Sequence, residues 1–328
     1  MLIESWPHEV LSYYPAWLRG VLVFLGNHGG FSGAQLWRFD TGGGSFCLKA
    51  WPPNWRSPQE LAWIHGLMTQ GPVLPWMPRV APTSAGTTLV AFQDRLWELV
   101  TWMPGQADFS LAPSSARLAA ACAALGQLHQ VWAPVDRRYD VCPAVLRRLD
   151  SWQSWQQLLQ TGWQPSPAMI DPYKPCAEQL WQLVLRRIDE VPRLLAPWLQ
   201  RKVPLQPCMC DLWHDHVLFT GEAVTGLIDF GSVKEDHVAV DLARLLGSLV
   251  GDGAGLWEVG FDAYVRIRPF GAEERALARD LDRSGTILSA THWLRWLYHE
   301  RRHYTRPAAV ANRLTALVRR LLAPISRV

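Results

Sequence analysis

Two stretches of the sequence decide its fold, and a short turn separates them. They read Cys208-Met209-Cys210-Asp211-Leu212-Trp213-His214-Asp215-His216-Val217-Leu218-Phe219 and Val224-Thr225-Gly226-Leu227-Ile228-Asp229-Phe230-Gly231. Apolar runs on either side of a Gly-containing turn predict an antiparallel hairpin in which the numbers of paired residues sum to about 443 to 445. His216 then faces Ile228 or Asp229, and we expect the hairpin to bring Asp211 and Asp229 to one end.

Asp211 and Asp229 have the clearest chemical capability in this region. Two carboxylates beside a polar loop can bind a divalent cation, and one of them can orient or deprotonate a hydroxyl. Asp229 lies within the apolar run Leu227–Phe230, where a carboxylate without a partner would be costly to bury. A hairpin with two solvated ends is the alternative, and the position of Asp229 favours the functional interpretation.

The chain before residue 103 differs in pattern from the chain after it. Apolar runs separated by glycines and turns predict strands over residues 21–25, 34–39, 45–50, 87–92 and 97–102. A helix is expected to begin at Ser57 and Pro58, because Ser caps helices and Pro fits the first turn. From Ser114 onward the apolar spacing is helical. We therefore predict a β-rich N-lobe at residues 1–103 and a mainly helical C-lobe at residues 104–328.

Composition narrows the class of protein further. The 328 residues are 49% hydrophobic and 19% charged, with a formal net charge of +3, which indicates a globular chain and gives no support to nucleic acid or a membrane as partner. There is no basic, apolar leader and no apolar run of about eighteen residues. With six scattered cysteines, we expect a reduced, cytoplasmic chain. Lysines are few among the 32 basic residues, so Lys49, in an apolar strand, stands out.

The two stretches resemble the aminoglycoside phosphotransferase and choline kinase-like family, whose members are small-molecule kinases with a protein-kinase-like fold. In a kinase catalytic loop an Asp is followed five residues later by a metal-binding Asn, and Asp-Phe-Gly comes afterwards. Here Asp211 has His216 at the fifth position, and Asp229-Phe230-Gly231 matches the second motif. The resemblance implies an α+β, bilobal protein-kinase-like fold, with a small antiparallel β-sheet N-lobe and a larger, mainly helical C-lobe.

The resemblance also assigns nucleotide binding to six residues of the first lobe. They are Ser32, Lys49, Glu60, Leu99, Thr101 and Trp102. Ser32 belongs to a Gly-rich turn that would cover phosphates, and Lys49 would bind phosphate with Glu60 as its helix partner. The hinge strand would hydrogen-bond adenine through its backbone, with Trp102 against the ring. Alone, Lys49 also fits an exposed edge strand, but the ordered set of motifs favours the phosphate role.

Asp229 and His216 are the metal ligands that the resemblance implies, with Mg²⁺ as the expected ion and Mn²⁺ as a second candidate. Imidazole suits softer metals than Mg²⁺, so His216 in place of Asn is expected to weaken or alter magnesium binding. Met209 and Cys210 also stand where the family has His and Gly. The cysteines and histidines of residues 208–216 leave a zinc site as an alternative, although its ligand spacing is atypical.

The resemblance implies transfer of the ATP γ-phosphoryl group to a hydroxyl of a small molecule, with Asp211 as catalytic base. The alternative is a kinase-like protein that binds nucleotide for regulation with little or no turnover. Residues 301–328 contain seven arginines and no acidic residue. This positive charge favours a neutral or anionic acceptor, and the alternative is that the arginines form a solvated face. His129 is expected in the core, and Asp241 is expected to cap a helix or hold the catalytic loop.

Overall fold

The computed structural model describes residues 5–27, 33–135, 138–304 and 306–323, so Ser32 and most of its Gly-rich turn lie outside the described residues. The chain forms two compact units, Met1–Ala112 with Asp215–Ser232, and Pro113–His214 with Val233–Val328. The boundary between residues 103 and 104 stays a prediction of the sequence. Within the described ranges, no helix has the length and apolar character needed to cross a membrane.

The described residues contain ten strands and ten α-helices. The strands are β1 Val23–Gly26, β2 Gln35–Thr41, β3 Gly44–Ala50, β4 Val90–Phe92, β5 Arg95–Thr101, β6 Arg138–Val141, β7 Lys202–Cys208, β8 Val217–Thr220, β9 Ala223–Leu227 and β10 Lys234–Asp236. The helices are α1 Trp6–Leu11, α2 Pro58–Thr69, α3 Ser115–Trp132, α4 Pro143–Gln160, α5 Lys174–Arg187, α6 Glu190–Leu195, α7 Ala239–Leu249, α8 Ala254–Val265, α9 Ala272–Tyr298 and α10 Pro307–Leu322.

A five-stranded antiparallel sheet lies at the centre of the first unit, in the order β1-β2-β3-β5-β4. Its strands coincide with the predicted runs, because alternate side chains of each strand enter one core. Trp37, Phe39, Leu48 and Leu99 are buried there together. Lys49 consequently lies on a central strand, between β2 and β5, and the edge-strand interpretation of this lysine is wrong.

The hairpin predicted from the sequence is formed by β8 and β9. Val217 pairs with Leu227 and Leu218 with Gly226, which confirms the predicted register. Beyond the last pair, the backbone N–H of Ile228 donates to the carbonyl of His216 at 3.0 Å. This extra hydrogen bond extends the hairpin pairing to His216 and places it beside Asp229, the residue that follows Ile228.

Helix α2 begins as its sequence predicts. The Ser57 side chain accepts a hydrogen bond from the Glu60 backbone N–H, and the Glu60 carboxylate accepts one from the Ser57 backbone N–H. Pro58 occupies the first turn, where its missing N–H needs no partner. This reciprocal capping box fixes the start of α2. Further along the same helix, His65 forms a hydrogen bond with Glu98 of β5.

The second unit is mainly helical. Its three-stranded antiparallel sheet has the order β10-β7-β6, and α3 packs on α8. The long helix α9 packs against α4, α5, α6, α7 and α10, with Leu281, Ile287 and Leu294 fully buried. An antiparallel sheet in the N-terminal region and helices in the C-terminal region confirm the predicted α+β fold class.

Candidate active-site residues

Lys49 and Asp229 form an ion pair in the first unit. The Lys49 Nζ donates to Asp229 Oδ1 at 2.8 Å and lies 3.6 Å from the centroid of the Trp51 ring. The lysine side chain is 12% exposed, whereas that of Asp229 is 42% exposed. A central strand and an aromatic ring therefore hold the ammonium group in place, while the carboxylate remains accessible from solvent.

The charges of this pair support each other. Desolvation acts to raise the pKa of Asp229, but the positive charge of Lys49 and the His216 imidazole outweigh it and lower the pKa to about 2. Desolvation likewise acts to lower the pKa of Lys49, yet the charges of Asp229 and Glu98 raise it above its ordinary value. Both groups are therefore charged at neutral pH.

Asp229 has an unusual backbone conformation. Its φ of +63° lies in the left-handed region, which costs an L-residue roughly 1–2 kcal/mol. The next residues, Phe230–Ser232, form a single 3₁₀ turn. A Cβ atom at Gly231 would clash with the Trp51 ring, so this position requires glycine. The Asp-Phe-Gly sequence is thus packed directly against the residue that follows β3.

His216 is the second predicted metal ligand. Its Nε2 lies 3.6 Å from Asp229 Oδ2, and its side chain is 12% exposed. A carboxylate oxygen beside an imidazole nitrogen is a donor set that fits a divalent cation, with the oxygen suited to Mg²⁺ and the nitrogen to softer ions. The structure therefore brings the two residues together, and their role as ligands stays a prediction.

Glu60 does not reach Lys49, contrary to the pairing expected from the sequence. Its carboxylate closes the capping box with Ser57 and accepts a hydrogen bond from Arg56 Nη1 at 3.1 Å. The backbone N–H groups at the start of a helix are unsatisfied within the helix, and a Glu at the third position satisfies one of them. This local demand explains the placement of Glu60.

Glu98 is the carboxylate that faces Lys49 across the sheet. The two residues are partners in the β3–β5 ladder, and Glu98 is 8% exposed. The Glu98 Oε2 lies 2.8 Å from His65 Nε2 on α2. Burial acts to raise the pKa of Glu98, but the His65 hydrogen bond and the Lys49 charge lower it below its ordinary value. The sequence analysis did not identify Glu98 as a functional residue. The available signal was an acidic residue within the apolar strand 97–102.

The strand residues expected to bind adenine form backbone hydrogen bonds with other residues of the first unit. The Leu99 side chain is fully buried, and its carbonyl and the Thr101 N–H pair with the backbone of residues 79–81 at 2.8 and 2.9 Å. The Trp102 N–H donates to the Ser45 carbonyl at 2.8 Å. These groups already have backbone partners, so the geometry does not favour Leu99 and Thr101 as adenine ligands.

Asp211 lies in the second unit and is paired with Arg244 of α7. Arg244 Nε and Nη2 are each 3.0 Å from Asp211 Oδ1. The guanidinium also lies 5.8 Å from the centroid of the Trp213 ring. Arg244 therefore fixes the orientation of the Asp211 carboxylate. The sequence signal that could have identified Arg244 is its position one helical turn after Asp241 on α7.

Asp241 holds the backbone of the loop that contains Asp211. Its two carboxylate oxygens accept hydrogen bonds from the backbone N–H groups of Met209 and Cys210 at 2.7 and 2.6 Å. His129 Nε2 lies 3.0 Å from the same carboxylate, and its Nδ1 lies 2.8 Å from the Tyr264 hydroxyl. Both expectations, a core position for His129 and a loop-holding role for Asp241, are confirmed.

The cysteines of the loop do not resemble zinc ligands. Burial raises the pKa of Cys208 and of Cys210 well above that of a free thiol, whereas zinc binds the thiolate. Among the described residues, the potential ligand atoms that converge are those of His129, Cys208 and Asp241, within 4.8 Å of one another. The histidine and the aspartate in this group already bind each other, so the structure gives the zinc alternative no support.

The order of these residues along the chain matches a known family. The model of the phosphotransferase enzyme family matches residues 24–278, which include Lys49, Asp211, Asp229 and Asp241. The chain belongs to this family. The family was expected from the two motifs, and the match confirms that expectation.

The curated relatives of this chain include a protein whose name gives its acceptor. A homoserine kinase of Beijerinckia indica subsp. indica is 34% identical over 115 residues, which are 33% of this chain and 36% of that protein. The chain thus matches about a third of the length of that relative.

Two solved structures share the fold. A spectinomycin phosphotransferase solved with ADP and spectinomycin has a TM-score of 0.66 at 13% identity, with 96% of each chain covered. An amicoumacin kinase solved with AMP-PNP, Ca²⁺ and Ami has a TM-score of 0.63 at 15% identity, covering 96% of this chain and 92% of that one. At these identities the two structures show the fold alone, and they confirm the kinase-like fold class.

The loop of this phosphotransferase family member departs from the usual His-Gly-Asp at Met209 and Cys210. Asp241 contacts both residues through their backbone N–H groups, which any residue except proline supplies. Cys210 has a φ of +62°, where the family's glycine would be unstrained. The contacts of Asp241 with the loop therefore do not depend on the side chains at positions 209 and 210, and the backbone at Cys210 is strained.

Proposed function

We propose that the protein is an ATP-dependent small-molecule kinase that transfers the γ-phosphoryl group to a hydroxyl. The observation that carries the proposal is the Lys49–Asp229 ion pair at 2.8 Å. It unites a strand lysine and the Asp of an Asp-Phe-Gly sequence, the two groups that a kinase uses for phosphates and for metal. The match to the phosphotransferase family supports the same reaction class.

In this proposal Lys49 binds nucleotide phosphate oxygens, with Ser32 and Trp102 as further nucleotide-binding residues. Asp229 and His216 hold a divalent cation, Mg²⁺ or Mn²⁺. The cation supplies neutralisation of the charge that develops on the phosphoryl oxygens. Glu98 acts as a positioning residue, because its negative charge opposite Lys49 keeps the ammonium group charged and on the sheet.

Asp211 is the proposed catalytic base, and Arg244 orients it. The acceptor oxygen attacks the γ-phosphorus, the bond from that phosphorus to the β–γ bridging oxygen breaks, and ADP leaves with the electron pair. The hydroxyl proton passes to the Asp211 carboxylate. Positioning and charge neutralisation supply most of the acceleration in such reactions.

The acceptor is proposed to be a small neutral or anionic alcohol. Seven arginines and no acidic residue in residues 301–328 disfavour a polycationic acceptor. The homoserine kinase among the relatives adds support for an amino-acid hydroxyl.

The decisive experiment compares ADP release by the native protein and by Asp211→Asn across a panel of sugars, hydroxy amino acids, choline and aminoglycosides. General-base catalysis contributes about 10²–10⁴-fold, so kcat should fall by that factor in the variant. Glu222→Gln, an exposed change in the turn between β8 and β9, is the matched control and should keep the native rate. Full activity of Asp211→Asn would contradict the assignment.

A nucleotide-binding protein with little turnover is the second candidate. The observation that favours it is His216, which faces Asp229 where kinases use an Asn oxygen. Thermal shift with ATP alone, with Mg²⁺ and with Mn²⁺ separates the two candidates. Stabilisation by ATP that needs no metal, without ADP release, favours the regulatory protein, whereas metal-dependent stabilisation with turnover favours the kinase.

A further inference from the structure

Arg56, in the loop between β3 and α2, contacts the Asp-Phe-Gly segment directly. Its Nε donates a hydrogen bond to the Gly231 backbone carbonyl at 3.2 Å, across 175 positions of the sequence. The Arg56 side chain is 18% exposed, so water has little access to this contact. Hydrogen bonds from a charged donor are roughly twice as strong as those between neutral groups. A guanidinium group therefore holds a main-chain atom two residues beyond Asp229.

Glu60 orients the guanidinium group of Arg56. Its Oε1 accepts a hydrogen bond from Arg56 Nη1 at 3.1 Å, while its Oε2 accepts one from the Ser57 backbone N–H at 2.9 Å. Because Ser57 is the capping residue of α2, the start of the helix fixes this carboxylate, and the carboxylate fixes the arginine. Glu60, which the sequence associated with Lys49, thus reaches the Asp-Phe-Gly segment by another route.

Trp51 is the second side chain of this loop that contacts Gly231. Its ring is buried and occupies the space that a Cβ atom at Gly231 would need. The same ring lies 3.6 Å from Lys49 Nζ. Gly231 is consequently fixed at its Cα by Trp51 and at its carbonyl by Arg56.

The conformation of Asp229 depends on what holds the residues after it. A left-handed backbone at an L-residue persists only where its surroundings determine it, and the φ of Asp229 is +63°. The Asp229 carboxylate also accepts a hydrogen bond from the Gly231 backbone N–H, as Asp side chains do from the N–H two residues on. Contacts that fix Gly231 therefore also act on the Asp229 carboxylate.

We propose that Arg56 is a positioning residue of the metal site, which acts on Asp229 through Gly231, and that Glu60 sets Arg56 for this role. Asp229 is thereby kept in the orientation in which its carboxylate faces His216. Side chains that orient a metal ligand without touching the metal commonly contribute about 10–100-fold to metal affinity. This inference rests on the proposed function, in which Asp229 binds the divalent cation, and adds the residues that hold Asp229 in place.

The metal test titrates Mn²⁺ into the full-length protein in the presence of ADP and follows free Mn²⁺ by electron paramagnetic resonance. Arg56→Met should raise the dissociation constant of Mn²⁺ at least about tenfold, because the Gly231 carbonyl loses its donor. Glu60→Gln keeps the helix cap, since Gln also serves in a capping box, and should raise the same constant by a smaller factor. Arg193→Met is the matched control, because the Nε of this exposed arginine donates to the Asp189 carbonyl beside its own helix, and it should bind Mn²⁺ as the native protein does.

A double variant tests the order in which the two residues act. Arg56→Met combined with Glu60→Gln should bind Mn²⁺ no more weakly than Arg56→Met alone, because Glu60 acts through Arg56. Additive losses of affinity would overturn the role given to Glu60.

Amide hydrogen exchange measures the same positioning without a metal. The Gly231 amide should exchange at least about tenfold faster in Arg56→Met than in the native protein, while the amides of the β3–β5 ladder keep their native rates. Faster exchange throughout that ladder would mean that Arg56 stabilises the whole sheet, which would overturn a positioning role.

The two measurements separate this inference from the proposed function. A native protein that binds no Mn²⁺ with ADP refutes the metal role of Asp229 in the proposed function, and this inference with it. Native Mn²⁺ binding that Arg56→Met retains in full refutes this inference alone. Weaker Mn²⁺ binding in Arg56→Met, with native exchange in the β3–β5 ladder, supports both.

Discussion

Lys49 illustrates how a single residue acquires its role from neighbours distant in sequence. Its ammonium group is held by Asp229, by the Trp51 ring and by the charge of Glu98 opposite it. Sequence reasoning identified Lys49 and Asp229, because a strand lysine and an Asp-Phe-Gly sequence are visible as patterns. It assigned the helix partner to Glu60, whose carboxylate is instead taken up by the first turn of α2.

The ion pair makes a prediction about pH at the residue scale. The folded pKa of Asp229, about 2, lies below its unfolded value near 3.9. Its contribution to stability is therefore present above the unfolded value and is lost as pH falls through about 2. In Lys49→Met the largest opposing charge is gone, so desolvation dominates and the pKa of Asp229 should rise, moving that loss of stability to higher pH.

Carbon-13 NMR of the labelled Asp carboxyls measures this change directly. Lys174→Met is the control, because Lys174 is an exposed lysine whose ion-pair partner is Glu178 of its own helix. An Asp229 titration midpoint that is the same in Lys49→Met and in the native protein would show that another group sets this pKa.

At the scale of elements, the hairpin and the helix starts were the most predictable parts. The β8–β9 register follows from the alternation of apolar residues around a short turn, and a shift by one residue would expose the apolar face. The start of α2 follows from Ser57, Pro58 and Glu60, which are local in sequence. The engagement of Leu99 and Thr101 with residues 79–81 was not predictable, since a segment without a strand pattern supplies those partners.

Asp241 joins three elements, and its replacement tests that role. It accepts from two loop N–H groups and contacts His129 of α3, all from the first turn of α7. In Asp241→Asn one amide nitrogen must face a donor, so at least one buried N–H group loses its partner. We expect a loss of about 1–3 kcal/mol in the free energy of unfolding, together with a lower kcat because Asp211 follows the loop.

Urea unfolding and steady-state kinetics provide the two measurements. Asp189→Asn, at the exposed start of α6, is a matched change and should leave both values unchanged. Native stability in Asp241→Asn would mean that the loop backbone does not depend on this carboxylate.

At the scale of the whole molecule, the first unit is discontinuous in sequence. Residues 215–232 return to the N-terminal segment, where Phe219 and Gln106 exchange two backbone hydrogen bonds at 2.9 and 3.0 Å. The Leu227 N–H donates to the Trp76 carbonyl at 2.8 Å. The β8–β9 hairpin is therefore part of the packing of the N-terminal segment as well as the carrier of Asp229.

This discontinuity predicts the behaviour of fragments. A fragment of residues 1–112 should show a broad, weakly cooperative thermal transition, because it lacks the hairpin that pairs with Gln106 and Trp76. The same fragment joined to residues 215–232 by a flexible Gly-Ser linker should recover a cooperative transition and slower exchange of the Gln106 amide, which donates to the Phe219 carbonyl. Equal cooperativity in the two fragments, measured by circular dichroism and hydrogen exchange, would refute this view of the unit.

The sequence by itself indicated the family, the strands of the first lobe, the β8–β9 hairpin and the start of α2, because periodicity, caps and short motifs act over a few neighbouring residues. It also singled out Lys49, Asp211, Asp229 and Asp241 as candidates. Tertiary structure alone decided which charges meet. It paired Asp229 with Lys49 over 180 residues and set Glu98, in place of Glu60, opposite that lysine. Coulomb and desolvation energies depend on distance and burial in space, and neither quantity is encoded by position along the chain.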